Sequence, residues 1–274
     1  MAESASAQHS TRLISLTDAL AVIDRVEPVA PRAVAVAEAA GLTLVNDATI
    51  ADTKIRLAGA RLRRLDLALL AGAGVELVDV RMPNFLIVSE NDEDLYSICA
   101  LVKGAIESEG GAAKRSAAPI EEALAEPGYD AMIAFRGNSS AIVDKITNVA
   151  FDGMALSPGG GIAFGYAERR PILALPERFD AALSGWLTLG RRLLARLAFR
   201  LIEEQPFLLE IARPVAASPG VSQVIAVRRR AAQVEPIPGD WRPEVMARSD
   251  GWILVPAESE GLPAGARVQM RAWP

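Results

Sequence analysis

The chain has 274 residues, a formal net charge of −5, 51% hydrophobic residues and a mean hydropathy of +0.21. That length suffices for two or three small domains with separate cores, and the composition excludes a disordered chain. A single cysteine (Cys99) and a single histidine (His9, in a small polar amino-terminal tail) exclude an internal disulfide framework, a His/Cys zinc site and imidazole-based nucleophilic catalysis.

What remains is carboxylates, arginines, hydroxyls, glycine loops and four lysines (Lys54, Lys103, Lys114, Lys145). This set suits Mg²⁺ and phosphate handling better than acyl transfer, and it equally suits a protein without catalysis. Basic residues are scattered rather than striped, so no nucleic-acid partner is expected. Arg228-Arg229-Arg230 reads as a solvated strand end. Charged residues interrupt every apolar run before membrane-spanning length, and the first residues lack a signal-peptide pattern, so a cytoplasmic protein is expected.

In chain order, Ser15-Leu16-Thr17-Asp18 opens a helix whose apolar face is Leu16, Ala19, Leu20 and Ile23, and Pro28 and Pro31 stop it. A short strand at 34–36, a helical turn closed by Gly41 and an extended stretch at 42–50 follow. Residues 61–72 predict an amphipathic helix, and VELVDVRM a strand. Strand (85–88), helix (92–106), short helix (119–125) and strand (129–135) come next. GIAFGYAE and RPILALP predict two strands joined by a tight turn at 168–170, before a long helix from Asp180 to about Glu203. This alternation predicts a mainly parallel sheet covered by helices on both faces, with ligands beyond the strand carboxyl ends, in the loops after Val88 and Phe135. After Pro206, short strands separated by Pro- and Gly-containing turns (SPG, IPGD, LPAG) predict a small all-β domain.

Three stretches, GARLRRLDLALLAGAGVELVDVRMP (59–83), MALSPGGGIAFGYAERRPILALP (154–176) and RSDGWILVPAESEGLPAGARV (248–268), resemble the molybdopterin molybdotransferase family, which includes the E domain of gephyrin. The resemblance runs through nearly the whole chain. It implies an α/β fold: a three-layer α/β/α molybdopterin-binding domain over 83–205, a small N-terminal α+β domain over 13–82, and a C-terminal all-β, barrel-like domain over 206–274. The chain looks like a shortened member, because the family's inserted domain would fall where only ADTKIRLA separates Ile50 from Gly59. Family enzymes use Mg²⁺ or a similar ion to insert molybdate into adenylylated molybdopterin, releasing AMP, and they work as homodimers.

The resemblance also assigns candidate site residues. The family's acidic loop after the first α/β strand matches Asp92 and Glu93, as catalytic residues and Mg²⁺ ligands; capping of the next helix explains them equally well. Its glycine-rich loop matches Arg136, Gly137, Asn138, Ser139 and Ser140, which either approach a phosphate through backbone N–H groups or make a plain turn. Asp144 stands loosely where the family has a further catalytic aspartate. A lysine-bearing loop has become Ser157-Pro158-Gly159-Gly160-Gly161, losing both lysines. Pro176-Glu177-Arg178 keeps only one proline of a fourth loop, so that Ser157, Pro158, Gly159, Pro176 and Arg178 complete the cofactor-binding set.

Two readings follow. In one, the chain is a divergent molybdopterin-binding protein of molybdenum cofactor biosynthesis or delivery, with reduced or no molybdotransferase activity, that docks a molybdoenzyme or a biosynthetic partner. In the other it is an active, Mg²⁺-dependent molybdotransferase. Loss of the cationic loop residues favours the first, since each anion donor in a water-excluded site stabilises a transition state by several kcal/mol.

Overall fold

The structure, a computed structural model, describes residues 13–89, 95–136, 141–201, 206–237 and 241–274. Its first helix, α1 (Leu16–Ile23), starts where predicted: the Ser15 side chain accepts a hydrogen bond from the Asp18 backbone N–H at 3.1 Å. Leu16, Ala19 and Ile23 are buried in the core of the central sheet.

The next section contains β1 (Arg32–Ala35), β2 (Thr43–Leu44), β3 (Ala48–Ile50), β4 (Thr53–Arg56), α2 (Arg64–Gly72) and β5 (Leu77–Arg81). β5 pairs antiparallel with β1 on one side and β2 on the other, and α2 closes their small core through Leu67 and Leu70. Between Ile50 and Gly59 the chain makes a hairpin: Ala51 and Asp52 take φ of 44° and 66°, and β4 runs back along β3. The α2 start is fixed by Asp66, fully buried, which accepts from the Arg63 backbone N–H (2.8 Å) and pairs with Arg63 and Arg56.

The central sheet follows, with β6 (Asn84–Val88), α3 (Tyr96–Ser108), β7 (Ala112–Ser116), α4 (Ile120–Ala125), β8 (Ala131–Arg136), α5 (Ala141–Lys145), β9 (Asn148–Asp152), β10 (Leu156–Ser157), β11 (Ala163–Ala167) and β12 (Arg170–Pro176). The sheet order is β7-β6-β8-β12-β11-β9. β7, β6, β8 and β12 are mutually parallel, whereas β11 and β9 are antiparallel additions, so the expected mainly parallel sheet is a mixed one. The tight turn predicted at 168–170 joins β11 to β12, with Glu168 at φ 56°.

Alternate residues of the buried strands enter different cores. Phe85, Ile87, Ile133, Leu173 and Leu175 pack with α3 residues Ile98, Val102 and Ile106, whereas Leu86, Val88, Met132, Ala134, Ile172 and Ala174 pack with Ile120 and Ala123 of α4. This period of two is what a strand covered on both faces produces. Helix α6 (Phe179–Gly185) continues through a π-helical turn at Trp186–Gly190 into α7 (Arg191–Leu197), adding Leu183, Trp186 and Leu194 to the α3 side. The single long helix expected to about Glu203 therefore ends at Leu197.

The last section holds β13 (Phe207–Ile211), β14 (Val215–Ala216), β15 (Ser222–Arg230), β16 (Gln233–Pro236), a one-turn helix α8 (Pro243–Met246), β17 (Gly251–Val255), β18 (Gly261–Leu262) and β19 (Arg267–Ala272). β15 pairs with both β16 and β17, and β13 and β19 complete the ring, giving a closed five-stranded barrel around Ile211, Val227, Val234, Ile253 and Met270. β10, from the central section, pairs in parallel with β15 and ties the barrel to the sheet. Arg229 and Arg230 lie exposed at the end of β15, as a solvated strand end requires. Among the described residues, no helix is long and apolar enough to cross a membrane.

Candidate functional site

Parallel strands deliver their carboxyl ends to one edge of the sheet, and ligands of such sheets bind beyond that edge. β8 and β12 end in register, Pro176 opposite Arg136, and the Glu177 backbone N–H donates to the Arg136 carbonyl at 3.2 Å. Beyond them lies a cavity of about 620 Å³, lined by Arg136, Gly159, Gly160, Gly161, Pro176, Glu177, Arg178 and Ala181. Four of the residues expected to bind cofactor, Arg136, Gly159, Pro176 and Arg178, are thus brought to one cleft from three separate stretches of chain.

Gly159 has a structural reason to be glycine. Its φ is +130°, and a Cβ there would sit 3.0 Å from Leu156 Cδ2 and 3.1 Å from Ile162 Cδ1. Ser157 and Pro158 face a neighbouring cavity of about 470 Å³, between this edge and the barrel, which they share with Arg178, Asp180, Arg213 and Trp241. Arg178 stands on the border between the two cavities.

The cleft's cations are matched locally. Arg136 Nη1 donates to Asp152 Oδ1 at 2.7 Å. Arg178 forks onto Asp180, Nε to Oδ1 at 2.8 Å and Nη2 to Oδ2 at 2.5 Å, while Oδ1 also accepts from the Ala181 backbone N–H at 2.8 Å. With Glu177 exposed at the rim, two arginines face three carboxylates. Asp152 and Asp180 went unassigned in the sequence. Asp180 carries a local signal, an acid in the first turn of a helix two residues after an arginine. Asp152 carries none, because its partner is 16 residues away and meets it only through the fold.

The other expected residues fall elsewhere. Asp144 lies exposed in α5, beside the Lys145–Glu121 ion pair (3.0 Å), and does not line the cleft. Asp92 and Glu93, and Gly137, Asn138, Ser139 and Ser140, lie outside the described residues. Among the described residues, no group of three or more His, Cys, Asp or Glu side chains is arranged to hold a metal ion.

No protein-family model matches the chain, and no curated protein matches it. Solved structures do. A molybdenum cofactor biosynthesis protein from Pyrococcus furiosus aligns at 21% identity with a TM-score of 0.77, covering 96% of this chain and 100% of the other. Two structures of the molybdopterin biosynthesis MoeA protein from Pyrococcus horikoshii align over the same shares, at 12% identity with a TM-score of 0.79 and at 15% with 0.75. The chain has the fold of these MoeA molybdopterin biosynthesis proteins.

Proposed function

We propose that the chain belongs with the molybdopterin molybdotransferases by descent and serves molybdenum cofactor biosynthesis or delivery, holding molybdopterin in the cleft at the carboxyl ends of β8 and β12. The observation that carries this is the position of that cleft: it gathers Arg136, Gly159, Pro176 and Arg178 at the ligand-binding edge of a fold shared with proteins of that biosynthesis. Its volume of about 620 Å³ lies within the usual range for a small-molecule site, roughly 300–1,000 Å³.

The donor set fits a phosphate ester. Arg136 and Arg178 would take the phosphate oxygens, Gly159–Gly161 would let the pterin approach the backbone, and Gly137, Asn138, Ser139 and Ser140 would extend the same grip. Ser157 and Pro158 would edge the cleft on the barrel side. Bound molybdopterin, in adenylylated form or not, would supply the group that receives molybdate. Asp92 and Glu93 are assigned as the Mg²⁺-binding carboxylates, with Asp144 as a further acid.

Ion pairing inside the cleft supports binding without efficient turnover. An anion must displace Asp152 from Arg136 and Asp180 from Arg178 before it gains either guanidinium, and Glu177 repels it meanwhile. One observation favours the alternative of an active molybdotransferase. The Arg178 side chain is 70% exposed, so its fork can swing from Asp180 to a substrate at small cost. In either reading the protein acts in the cytoplasm as a homodimer, with three units over 13–82, 83–205 and 206–274 and a molybdoenzyme or biosynthetic protein as partner.

Expression in a bacterial strain lacking its own molybdotransferase tests the choice through nitrate reductase activity. Rescue is expected below about a tenth of that given by an intact molybdotransferase, because each lost anion donor costs roughly 10²–10³ in rate. Full rescue without added molybdate would establish the active enzyme instead.

A further inference from the structure

The opposite edge of the central sheet carries a second and far more cationic cavity. It also measures about 620 Å³, and its lining includes Arg56, Arg61, Arg63, Arg191 and Arg200, one acidic side chain, Glu109, and the last residue, Pro274. It lies where α3 ends and β7 begins, at the amino ends of the parallel strands, whereas Arg136 and Pro176 mark their carboxyl ends. Five sections of chain meet there: Gly41 before β2, β4 with the loop before α2, the end of α3, α7 with the residues after it, and Pro274 after β19.

Among the described residues, two acidic side chains pair with four of these five guanidiniums. Glu109 pairs with Arg191 at 2.8 Å and Arg200 at 2.6 Å, and Asp66, behind the wall, pairs with Arg56 at 3.1 Å and Arg63 at 2.7 Å. Arg61 is the fifth cation: its Nε donates to the Gly41 carbonyl at 3.0 Å and its Nη2 to the Ser108 carbonyl at 2.5 Å. Among the described residues no carboxylate comes within ion-pair distance of it. The carbonyl end of α3 contributes about half a negative charge, which is less than the full charge of the Arg61 guanidinium. Burial, then repulsion from Arg200, push the Arg61 pKa down despite the attraction of Glu109, so the group is under electrostatic stress that an incoming anion relieves.

We propose that this cavity is a binding site for a small phosphorylated molecule, whose phosphate is taken by Arg61 together with the arginines around it. Guanidinium forks match phosphate oxygens in pairs, and clustered arginines in a concave site are the arrangement that recognises such groups. The concave shape favours a small ligand over a nucleic-acid backbone, which follows an extended stripe. The volume leaves room for a body beyond the phosphate. This site takes its ligand whatever the carboxyl-end cleft holds.

Titration calorimetry of the full chain with inorganic pyrophosphate, at fixed ionic strength and with chloride as the control, tests the site. Wild type is expected to bind saturably. Arg61→Gln should weaken binding about tenfold or more, the scale of one charge-assisted hydrogen bond. Arg63→Gln should weaken it by a smaller factor; its side chain is 56% exposed, so this variant also decides the question should Arg61→Gln fail to fold. Arg229→Gln, at an exposed barrel position outside both cavities, should leave the affinity unchanged. Absence of saturable binding in wild type, unchanged affinity in every folded variant at Arg61 and Arg63, or an equal loss of binding in Arg229→Gln would overturn the proposal.

Discussion

Replacing Glu109 with Gln is expected to destabilise the protein by about 3–5 kcal/mol, the cost of removing one partner from a buried ion pair. The Glu109 side chain is 12% exposed and that of Arg200 only 9%, and Arg200 holds both the carboxylate (2.6 Å) and the backbone carbonyl (2.9 Å) of Glu109. Loss of the charge leaves Arg200 and Arg191 on the cavity wall without their carboxylate, with only water there to replace it. The substitution also unties the end of α3 from α7. Urea unfolding at neutral pH reads the effect, and a loss below about 1 kcal/mol would mean that solvent already screens the pair.

The same residue sets an acid limit. Burial pushes the Glu109 carboxyl up, but Arg191 and Arg200 overcome it and hold its pKa below the ordinary 4.5. A depressed folded-state pKa contributes stability that is complete above the unfolded value and is lost as pH falls through the folded one. Wild type and Glu109→Gln should therefore differ most above pH 4.5 and converge below it.

Gly190→Val is the second substitution with a large expected effect. Gly190 closes the π-helical turn, four residues after Trp186, whose ring is fully buried among the helices and the sheet. A Cβ at Gly190 would lie 2.2 Å from Trp186 Cε3 and 2.8 Å from Cζ3. A rigid, packed indole cannot withdraw as a flexible side-chain end can, so the core must shift at a cost of about 3 kcal/mol. Trp186→Leu in the Gly190→Val background should recover part of that loss, a coupling read by a double-mutant cycle in urea. Additive losses would place the strain elsewhere.

Much of the architecture was legible because burial leaves periods in the sequence. The runs at β6 and β8 are continuous and apolar because both their faces are covered, and α1 announces itself through the Ser15 cap. Edge strands leave weaker traces. β7 (AAKRS) and β9 (NVAFD) are only partly covered and carry polar residues. β13 (FLLEI) is paired on both sides in the barrel, but it leaves Phe207 and Leu208 45% and 60% exposed, which erases its alternation. The helix end at Leu197 was hidden for another reason. The chain turns there through a left-handed residue, with Phe199 N–H on the Arg196 carbonyl and Arg200 N–H on the Ala195 carbonyl, but that residue is Phe199 at φ 50° instead of the glycine that usually marks such a stop.

Sites divide along the same line. Arg136, Gly159, Pro176 and Arg178 stand in short contiguous motifs, so the sequence alone could single them out, and the fold brings them to one cleft. Their acidic partners, and the arginine cavity drawn from positions 56 to 200, exist only once distant segments meet.

The most direct test of the proposed function is the pterin itself. The protein is purified from cells that make molybdopterin, denatured and oxidised, and the fluorescent pterin released is measured against protein. Retention in proportion to wild-type protein is predicted, together with its loss in a folded Arg136→Glu/Arg178→Glu double variant. Pterin no higher than that carried by an unrelated protein purified from the same cells, or equal retention by the double variant, would contradict binding in this cleft.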